Sequence, residues 1–301
     1  MTNFNDYKEI LEADVVTIHN LLKFFKKEDL DYDQHGNIFV NFKKETKKLP
    51  ILVAHTDNVL DGQRHPVFSI DQKRIFCANG CGIGFDDKAG IIAIIELWKN
   101  TPDAKKKFRC MFTANEEVGG VGAKKIEAER YDEASYILEL DRKSGKDFIQ
   151  TSGGVRLCSD KFREKWEELG FKEAQGVFTD VNVFKPNAPK VEMCNISIGY
   201  YNPHTPQEYL DTKEFEEIVT KVKVFIMQND KVRFVDETPE EKTWFGNYKN
   251  YNRYDCYDDY DDNDGMVGTC ECCDKKGILH WDEETGMYLC EECEKWYKQT
   301  K

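Results

Sequence analysis

Short apolar runs that alternate with helical segments constrain the fold of this chain more than any other feature of its sequence. The apolar runs predict strands at residues 38–42, 51–54, 107–113, 135–140 and 190–199. The spacing of apolar side chains elsewhere predicts helices at residues 7–25, 88–98, 161–169 and 212–228. Such alternation is typical of a sheet with helices on both faces. The predicted fold is therefore α/β, with three αβα layers and a mixed, mostly parallel central sheet.

A change of composition near residue 232 divides the chain. Residues 255–264 contain six aspartates and no basic residue. A segment of this kind has too little apolar surface to offset the entropy of ordering it. We predict three parts: an α/β domain at residues 1–232, an acidic, tyrosine-rich flexible linker at 233–267, and a compact cysteine-rich module at 268–301.

The overall charge and the start of the chain exclude several functions. A net charge of −13 argues against sequence-independent binding of nucleic acid and against docking on anionic membranes, because both need a basic surface. The first 25 residues lack the pattern of a signal peptide, and no apolar run reaches the roughly 20 residues that span a bilayer. We therefore expect a cytoplasmic protein, whose eleven cysteines pack in the interior or bind metal.

The cysteine-rich module contains two C-x-x-C pairs separated by a predicted hairpin. The four cysteines are Cys270, Cys273, Cys290 and Cys293. This spacing predicts a zinc ribbon with one structural zinc ion, and Cys272 or, less readily, His280 could substitute as a ligand. From Cys270 onward the module has eight acidic residues and five lysines, which favours a protein partner or a purely structural role over nucleic acid.

Several acidic and imidazole side chains either follow a predicted strand or directly precede the helix predicted at residues 88–98. They are His55, Asp57, Asp86, Asp87, Glu116, Glu117, Asp141 and His204. Taken singly, each fits a helix cap, a turn or an ordinary loop. Ligands gather at the carboxyl ends of strands in α/β sheets. Their shared position therefore predicts one metal site that contains residues from all of these segments.

The residue types fit hydrolytic chemistry at such a site. The imidazole of His55 suits zinc, and Asp57 two residues later can accept its other N–H group. An aspartate at a helix start, such as Asp86, can direct its two oxygens at different ions. The neighbouring acids Glu116 and Glu117 suit one ligand and one proton carrier.

Taken together, these motifs closely resemble those of the co-catalytic zinc peptidases, which include peptidase T, glutamate carboxypeptidase and the bacterial leucyl aminopeptidases. The resemblance covers about residues 5–230. In chain order the motifs are His55-Thr56-Asp57, Gly84-Phe85-Asp86-Asp87-Lys88-Ala89-Gly90, Glu116-Glu117, Asp141, Thr179-Asp180-Val181-Asn182-Val183-Phe184 and Pro203-His204-Thr205-Pro206-Gln207-Glu208.

The resemblance implies a pair of zinc ions, with cobalt or manganese as alternative metals. In the implied arrangement Asp86 bridges both ions. His55 and Asp141 complete one site, and Glu117 and His204 complete the other. Two ions roughly 3.5–4 Å apart activate a bridging hydroxide and polarise the scissile carbonyl.

The resemblance also implies roles for three residues beside the metals. Glu116 is the general base, Asp57 orients His55, and Asp87 follows the bridging ligand through a cis peptide bond. The implied reaction is hydrolysis of an amide bond in a peptide, by an aminopeptidase or small-peptide hydrolase.

The chain departs from peptidase T in its length between two of the ligands. His204 lies only 63 positions after Asp141, and this gap is too short for the lid domain that peptidase T inserts there. We therefore predict that the lid is absent, and Arg156 and Asp180 are the candidate substrate contacts. A deacylase of N-acyl amino acids remains an alternative, and so does an inactive binding platform that displays the zinc ribbon.

Overall fold

The computed structural model describes residues 2–60, 64–68, 73–229 and 232–236, the strands at 266–269, 276–282 and 287–290, and residue 295. The chain separates into two compact units, Met1–Asp236 and Glu237–Lys301. Each unit is described by itself below. The boundaries predicted at residues 232 and 267 remain predictions.

The first unit contains two sheets. Its strands are β1 (Leu30–Tyr32), β2 (Ile38–Val40), β3 (Ile51–His55), β4 (Pro66–Phe68), β5 (Arg74–Cys77), β6 (Arg109–Thr113), β7 (Ile137–Arg142), β8 (Asp147–Ser152), β9 (Val155–Arg156), β10 (Lys172–Gly176), β11 (Met193–Ser197), β12 (Tyr200–Tyr201) and β13 (Tyr209–Asp211). The main sheet has the order β1-β2-β6-β3-β7-β11-β8-β10, with β9 beside β8, and the small sheet has the order β12-β13-β5-β4. The four central strands β6, β3, β7 and β11 are parallel, whereas β8 runs antiparallel to β11.

Helices cover both faces of the main sheet. They are α1 (Lys8–Glu12), α2 (Ile18–Leu21), α3 (Phe85–Asn100), α4 (Asp160–Glu168), α5 (Asp180–Phe184) and α6 (Thr212–Asn229). Leu52 and Ala54 of β3 pack in one core with side chains of α3, α4 and α6. Ile51 and Val53 pack in a second core with side chains of α5. Because alternate side chains of a strand point to opposite faces, these two cores confirm the predicted three-layer αβα fold with a mixed, mostly parallel sheet.

The single N-terminal helix predicted at residues 7–25 is wrong. After α1 the backbone is extended at Ala13 (φ −68°, ψ 145°), and helix resumes only at α2. The backbone N–H of Val16 donates to the carbonyl of Thr56 at 2.9 Å, and Nζ of Lys88 donates to the carbonyl of Ala13 at 2.6 Å. Contacts with distant parts of the chain therefore replace the hydrogen bonds that a continuous helix would form.

The segment at which peptidase T inserts its lid is part of the main fold here. Residues 142–203 contribute β8, β10 and β11 to the main sheet and α4 and α5 to its two faces. All of them belong to the same compact unit. The described residues of this segment form no separate lid, as the spacing predicted.

In the second unit the structure describes one antiparallel sheet. Its strands are β14 (Met266–Thr269), β15 (Lys276–Asp282) and β16 (Met287–Cys290), in that order across the sheet. Cys270, Cys272, Cys273 and Cys293 lie outside the described residues, as do the side chains of Cys290 and His280 and the linker residues 237–265. The zinc ribbon and the flexible linker therefore remain predictions. Within the described residues, none of the helices has the length and apolar character needed to cross a bilayer.

Candidate metal centre

Three neighbouring parallel strands bring most of the predicted ligands together. His55 is the last residue of β3, Asp141 lies near the end of β7, and Glu116 and Glu117 follow β6. In the sheet, β3 lies between β6 and β7. Because parallel strands end at the same edge of a sheet, side chains at these positions meet there.

The remaining two predicted ligands come from a helix start and a loop. Asp86 lies in the first turn of α3 but has non-helical backbone angles (φ −79°, ψ 97°). His204 lies in the loop between β12 and β13 with a left-handed φ of 59°. The left-handed conformation of His204 is uncommon for a residue other than glycine, and such conformations concentrate at functional sites.

Asp86 lies between the two imidazoles. Its Oδ1 is 3.0 Å from Nε2 of His55, and its Oδ2 is 3.2 Å from Nε2 of His204. Nε2 of His55 is also 3.5 Å from Oδ1 of Asp141, and Nε2 of His204 is 3.1 Å from Oε1 of Glu117. We call these five residues the acid–imidazole cluster. One carboxylate thus connects two separate pairs of an imidazole and an acid.

The donor set of the cluster fits divalent metal ions. Imidazole nitrogens and carboxylate oxygens are zinc ligands. Ligand atoms of His55, Asp86 and Glu117 all lie within 4.8 Å of one another, and so do those of His55, Asp87 and Asp141. The two groups share His55, so together they place five possible ligand side chains around one centre.

The cluster contains more acidic side chains than imidazoles, so its ionised form has an excess of negative charge. Burial raises the pKa of Asp141 to about 8, and the neighbouring Asp86 contributes to this rise. Burial would lower the pKa of His55, but the carboxylates around it, first Asp141, raise that pKa well above its usual value. Burial would also lower the pKa of His204, and Glu117 and Asp86 raise it well above its usual value. Bound divalent cations would offset this excess, so the electrostatics agree with the donor set.

Asp57 supports the loop that follows β6. Its Oδ1 accepts a hydrogen bond from the backbone N–H of Glu116 at 3.0 Å, and its Oδ2 accepts one from the N–H of Glu117 at 3.2 Å. Its carboxylate lies 3.5 Å from Nδ1 of His55, whereas its backbone carbonyl lies 3.0 Å from the same nitrogen. Asp57 therefore contacts His55 through both backbone and side chain, and it also positions the two glutamates.

Glu116 lies beside the cluster in a partly buried position. Burial raises its pKa well above the usual value, and Asp141, Asp180 and Glu117 add to the rise while His55 opposes it. A raised pKa makes a carboxylate a stronger proton acceptor, which is the property a general base needs.

The peptide bond between Asp86 and Asp87 is cis, as the resemblance implied. Asp87 faces away from solvent, where its Oδ2 accepts the backbone N–H of His55 at 3.1 Å and its Oδ1 accepts that of Gly90 at 2.9 Å. Asp87 thus ties the start of α3 to the end of β3, and so holds Asp86 against His55.

Glu208 is a supporting residue to which the sequence alone assigned no role. Its fully buried carboxylate accepts backbone N–H groups of Ile83 at 3.0 Å, Gly84 at 2.6 Å and Asp86 at 3.3 Å. Because Glu208 lies four residues after His204, it connects the loop of one ligand to the turn of another. Its position after a histidine motif was the only signal in the sequence, and that signal does not specify a partner.

The two candidate substrate contacts lie in different surroundings. Asp180 is fully buried at the start of α5, and burial raises its pKa to about 6. Arg156 lies on β9, where it forms an ion pair with Asp160 at 3.2 Å and donates to the carbonyl of Cys158. Their roles as substrate contacts remain predictions, and the local pairing of Arg156 does not favour its role.

Comparison with known proteins places the chain among the metallopeptidases. Residues 65–141 match the model of the M42 glutamyl aminopeptidase family, and this stretch includes Asp86, Glu116, Glu117 and Asp141. The match confirms the resemblance to the co-catalytic peptidases and the class of enzyme, a metal-dependent peptide hydrolase. No curated protein sequence matches the chain.

Solved structures share the fold at low sequence identity. Aminopeptidase PepT from Bacillus cereus is 16% identical with a TM-score of 0.58, over 74% of this chain and 96% of that one. A tripeptidase from Staphylococcus aureus is 14% identical with a TM-score of 0.58, over 75% and 97%. The TET1 peptidase of Pyrococcus horikoshii, which can assemble into a tetrahedron or a large octahedral shell, is 17% identical with a TM-score of 0.54, over 74% and 98%. At this identity the comparison establishes the fold.

Proposed function

We propose that this protein is an aminopeptidase or small-peptide hydrolase that uses two divalent metal ions, with zinc as the assigned metal. The observation that carries the proposal is the position of Asp86, whose two oxygens lie 3.0 Å and 3.2 Å from the Nε2 atoms of His55 and His204. Asp86 would be shared by both ions. His55 and Asp141 would complete one site, and Glu117 and His204 would complete the other.

The side chains around the cluster divide the chemistry among them. Two divalent ions at such a centre supply a Lewis acid that polarises the scissile carbonyl and makes a water molecule more acidic. Glu116 accepts the proton of the attacking water and transfers it to the leaving amine. Asp57 holds the backbone N–H of Glu116 at 3.0 Å and thereby keeps this carboxylate beside the reacting groups.

The family match favours a peptide substrate with a free N-terminus. Its description, glutamyl aminopeptidase, makes N-terminal glutamate one of the side chains to test. A structural zinc ion in the C-terminal module and a cytoplasmic location remain part of the proposal, on the evidence of the sequence alone.

Two panels of compounds test the proposal: aminoacyl anilides, including the glutamyl compound, and N-acyl amino acids. We expect the zinc-loaded protein to cleave the anilides. Glu116→Gln removes the proton acceptor without removing a metal ligand, so we expect a loss on the order of 10²–10⁴-fold in kcat with unchanged metal content. Glu133→Gln, a surface glutamate beside Lys47, is the matched control and should retain full activity.

Different outcomes contradict different parts of the proposal. Cleavage of only the N-acyl compounds would make the protein a deacylase. Undiminished activity of the Glu116→Gln variant would refute the role of Glu116 as general base. Two bound metal ions with no hydrolysis in either panel would favour the inactive platform.

A further inference from the structure

The pairing of β7 with β11 is interrupted next to a predicted metal ligand. Asn195 of β11 pairs with Glu139 of β7, and the next pair along the two strands is Ser197 with Arg142. Between these pairs β7 advances by one residue more than β11, so β7 contains a bulge at Leu140 and Asp141. On its other side, β7 pairs with β3 only as far as Glu139. A bulge leaves backbone groups without their ladder partners and changes the direction of the side chains it contains.

The side chain of Asn195 takes the place of the missing ladder partner. Its Oδ1 accepts the backbone N–H of Asp141 at 3.1 Å, and its Nδ2 donates to the backbone carbonyl of Asp141 at 3.1 Å. An amide side chain can form this reciprocal pair because it offers a donor and an acceptor side by side. Asn195 is 4% exposed, so water would have little access to either group if the side chain were shortened.

A second set of hydrogen bonds holds Asn195 itself in place. Nδ2 of Asn195 also donates to Oγ1 of Thr179 at 3.0 Å, and the Thr179 hydroxyl donates to the buried carboxylate of Glu139. Glu139 additionally accepts the backbone N–H groups of Asp180 at 3.1 Å and Val181 at 3.3 Å. The start of α5 is thereby tied to the bulge of β7.

We propose that Asn195 is a positioning residue for the metal centre, which holds the bulge that directs the carboxylate of Asp141 toward His55. Oδ1 of Asp141 lies 3.5 Å from Nε2 of His55. The side chain of Asn195 forms its two hydrogen bonds with the backbone of Asp141 and leaves the carboxylate of Asp141 to face His55. Asn195 therefore acts on the geometry of the His55 and Asp141 side of the centre and touches no reacting atom. The inference rests on the proposed function, since it assigns a role toward the ions proposed there.

Metal titration of the full-length protein tests the inference. Asn195→Leu has a similar size but cannot form the hydrogen bonds, and Asn195→Asp keeps the acceptor but loses the donor. Zn²⁺ is titrated against a chromophoric chelator, and Co²⁺ absorption reports the geometry of each bound ion. Residues that support metal ligands typically change affinity by about 10–100-fold, so we expect a loss of that size for one ion in Asn195→Leu, with the other ions unchanged. Asn195→Asp should also lose affinity for that ion, because it no longer donates to the backbone carbonyl of Asp141.

Ser197→Ala is the matched control. Ser197 lies two residues later in β11, and its hydroxyl bonds the backbone of Asp147 instead of Asp141, so we expect wild-type affinity for all ions. Wild-type metal affinity in a folded Asn195→Leu variant would overturn the inference, as would equal losses in Ser197→Ala. If Asn195→Leu does not fold, the affinity and Co²⁺ spectrum of Asn195→Asp decide by the same criteria. Failure of the wild-type protein to bind a pair of ions would instead refute the proposed function.

Discussion

The Asp57 carboxylate shows how a single residue of this site serves several neighbours. It accepts two consecutive backbone N–H groups, those of Glu116 and Glu117, and it faces Nδ1 of His55. Burial would raise the pKa of Asp57, but the hydrogen bond and charge of His55 and the N–H of Glu116 hold that pKa below its usual value. The ionised carboxylate is therefore the form that fits these three partners.

Asp57→Asn tests the role of this carboxylate in holding Glu116, Glu117 and His55. The amide keeps one acceptor and replaces the other with an NH₂ group, so one backbone N–H of the Glu116–Glu117 pair loses its partner. We expect kcat/KM for a peptide anilide to fall by about 10–100-fold, the effect typical of residues that orient metal ligands. Steady-state kinetics measure the fall in kcat/KM, and metal analysis measures how much metal the variant still binds.

Asp211→Asn provides the comparison for this variant. Asp211 also accepts two backbone N–H groups, those of Lys213 and Glu214, each at 3.0 Å, but it lies outside the acid–imidazole cluster. Both N–H groups donate to Oδ1 of Asp211, which the amide oxygen of asparagine can replace, so kcat/KM should stay near the wild-type value. Equal kinetic losses in both variants would mean that loop support in general, and not the position of Asp57, determines activity.

Among the elements, helix α3 depends on close packing against strand β7. It begins beside β3 and lies against β7, where a Cβ atom on Gly90 would be 2.3 Å from the carbonyl oxygen of Leu140 and 2.4 Å from Oδ1 of Asp87. The first of these neighbours is backbone and cannot move aside without moving β7. Glycine at this position therefore allows the helix to approach the strand that carries Asp141.

Gly90→Ala should separate α3 from β7. Overpacking of this kind typically costs about 1–3 kcal/mol, and the displacement of Asp87 and Asp141 should also weaken metal binding. Urea unfolding and zinc titration measure the two effects. In the control Gly154→Ala, no heavy atom within 4 Å meets the added Cβ, so only the left-handed backbone (φ +76°) is penalised. A Gly90→Ala protein with normal metal affinity would contradict the proposed link between helix packing and the metal centre.

For the whole molecule, the buried charges of the centre make stability depend on pH and metal together. Burial raises the pKa of Asp141 to about 8, and the pKa values of His55 and His204 are also raised. A group whose pKa is raised by folding contributes stability below its unfolded pKa, and this contribution is lost as the pH rises through the folded value. All three groups therefore act with the same sign in the metal-free protein.

The metal-free protein should become less stable as the pH rises from about 4 to about 8, because the pKa of Asp141 is raised from 3.8 to about 8 by folding. The raised pKa values of His55 and His204 act in the same direction. Metal binding requires deprotonated ligands and so strengthens over the same range. We expect the difference in Tm between zinc-loaded and EDTA-treated protein to increase with pH, as measured by circular dichroism. In His204→Ala, which lacks one proposed ligand, this difference should be smaller at every pH. A difference that stays constant with pH would contradict this assignment of the buried charges.

The class of fold and the chemistry of the centre could be predicted from the order of the amino acids. Strand and helix periodicity are local properties, so the layers around β3 and β6 could be predicted. The chemistry of a metal ligand belongs to the residue type, so His55, Asp86 and Asp141 could be recognised as candidates from their positions beside strands and a helix start. Their shared position at the strand ends predicted one metal site, and the structure adds the distances between their ligand atoms.

The residues that support these candidates, and the point at which the N-terminal helix ends, depend on contacts between distant parts of the chain. Asn195 and Glu208 have their roles because particular backbone N–H and C=O groups lie opposite them. The bulge in β7 leaves the backbone groups of Asp141 without partners in the sheet, and nothing in the local sequence indicates this bulge. The N-terminal helix ends early because Thr56 and Lys88, distant in the chain, bond to its backbone. Hydrogen-bond partners of this kind are set by the register of strands and the approach of distant segments, which local periodicity does not encode.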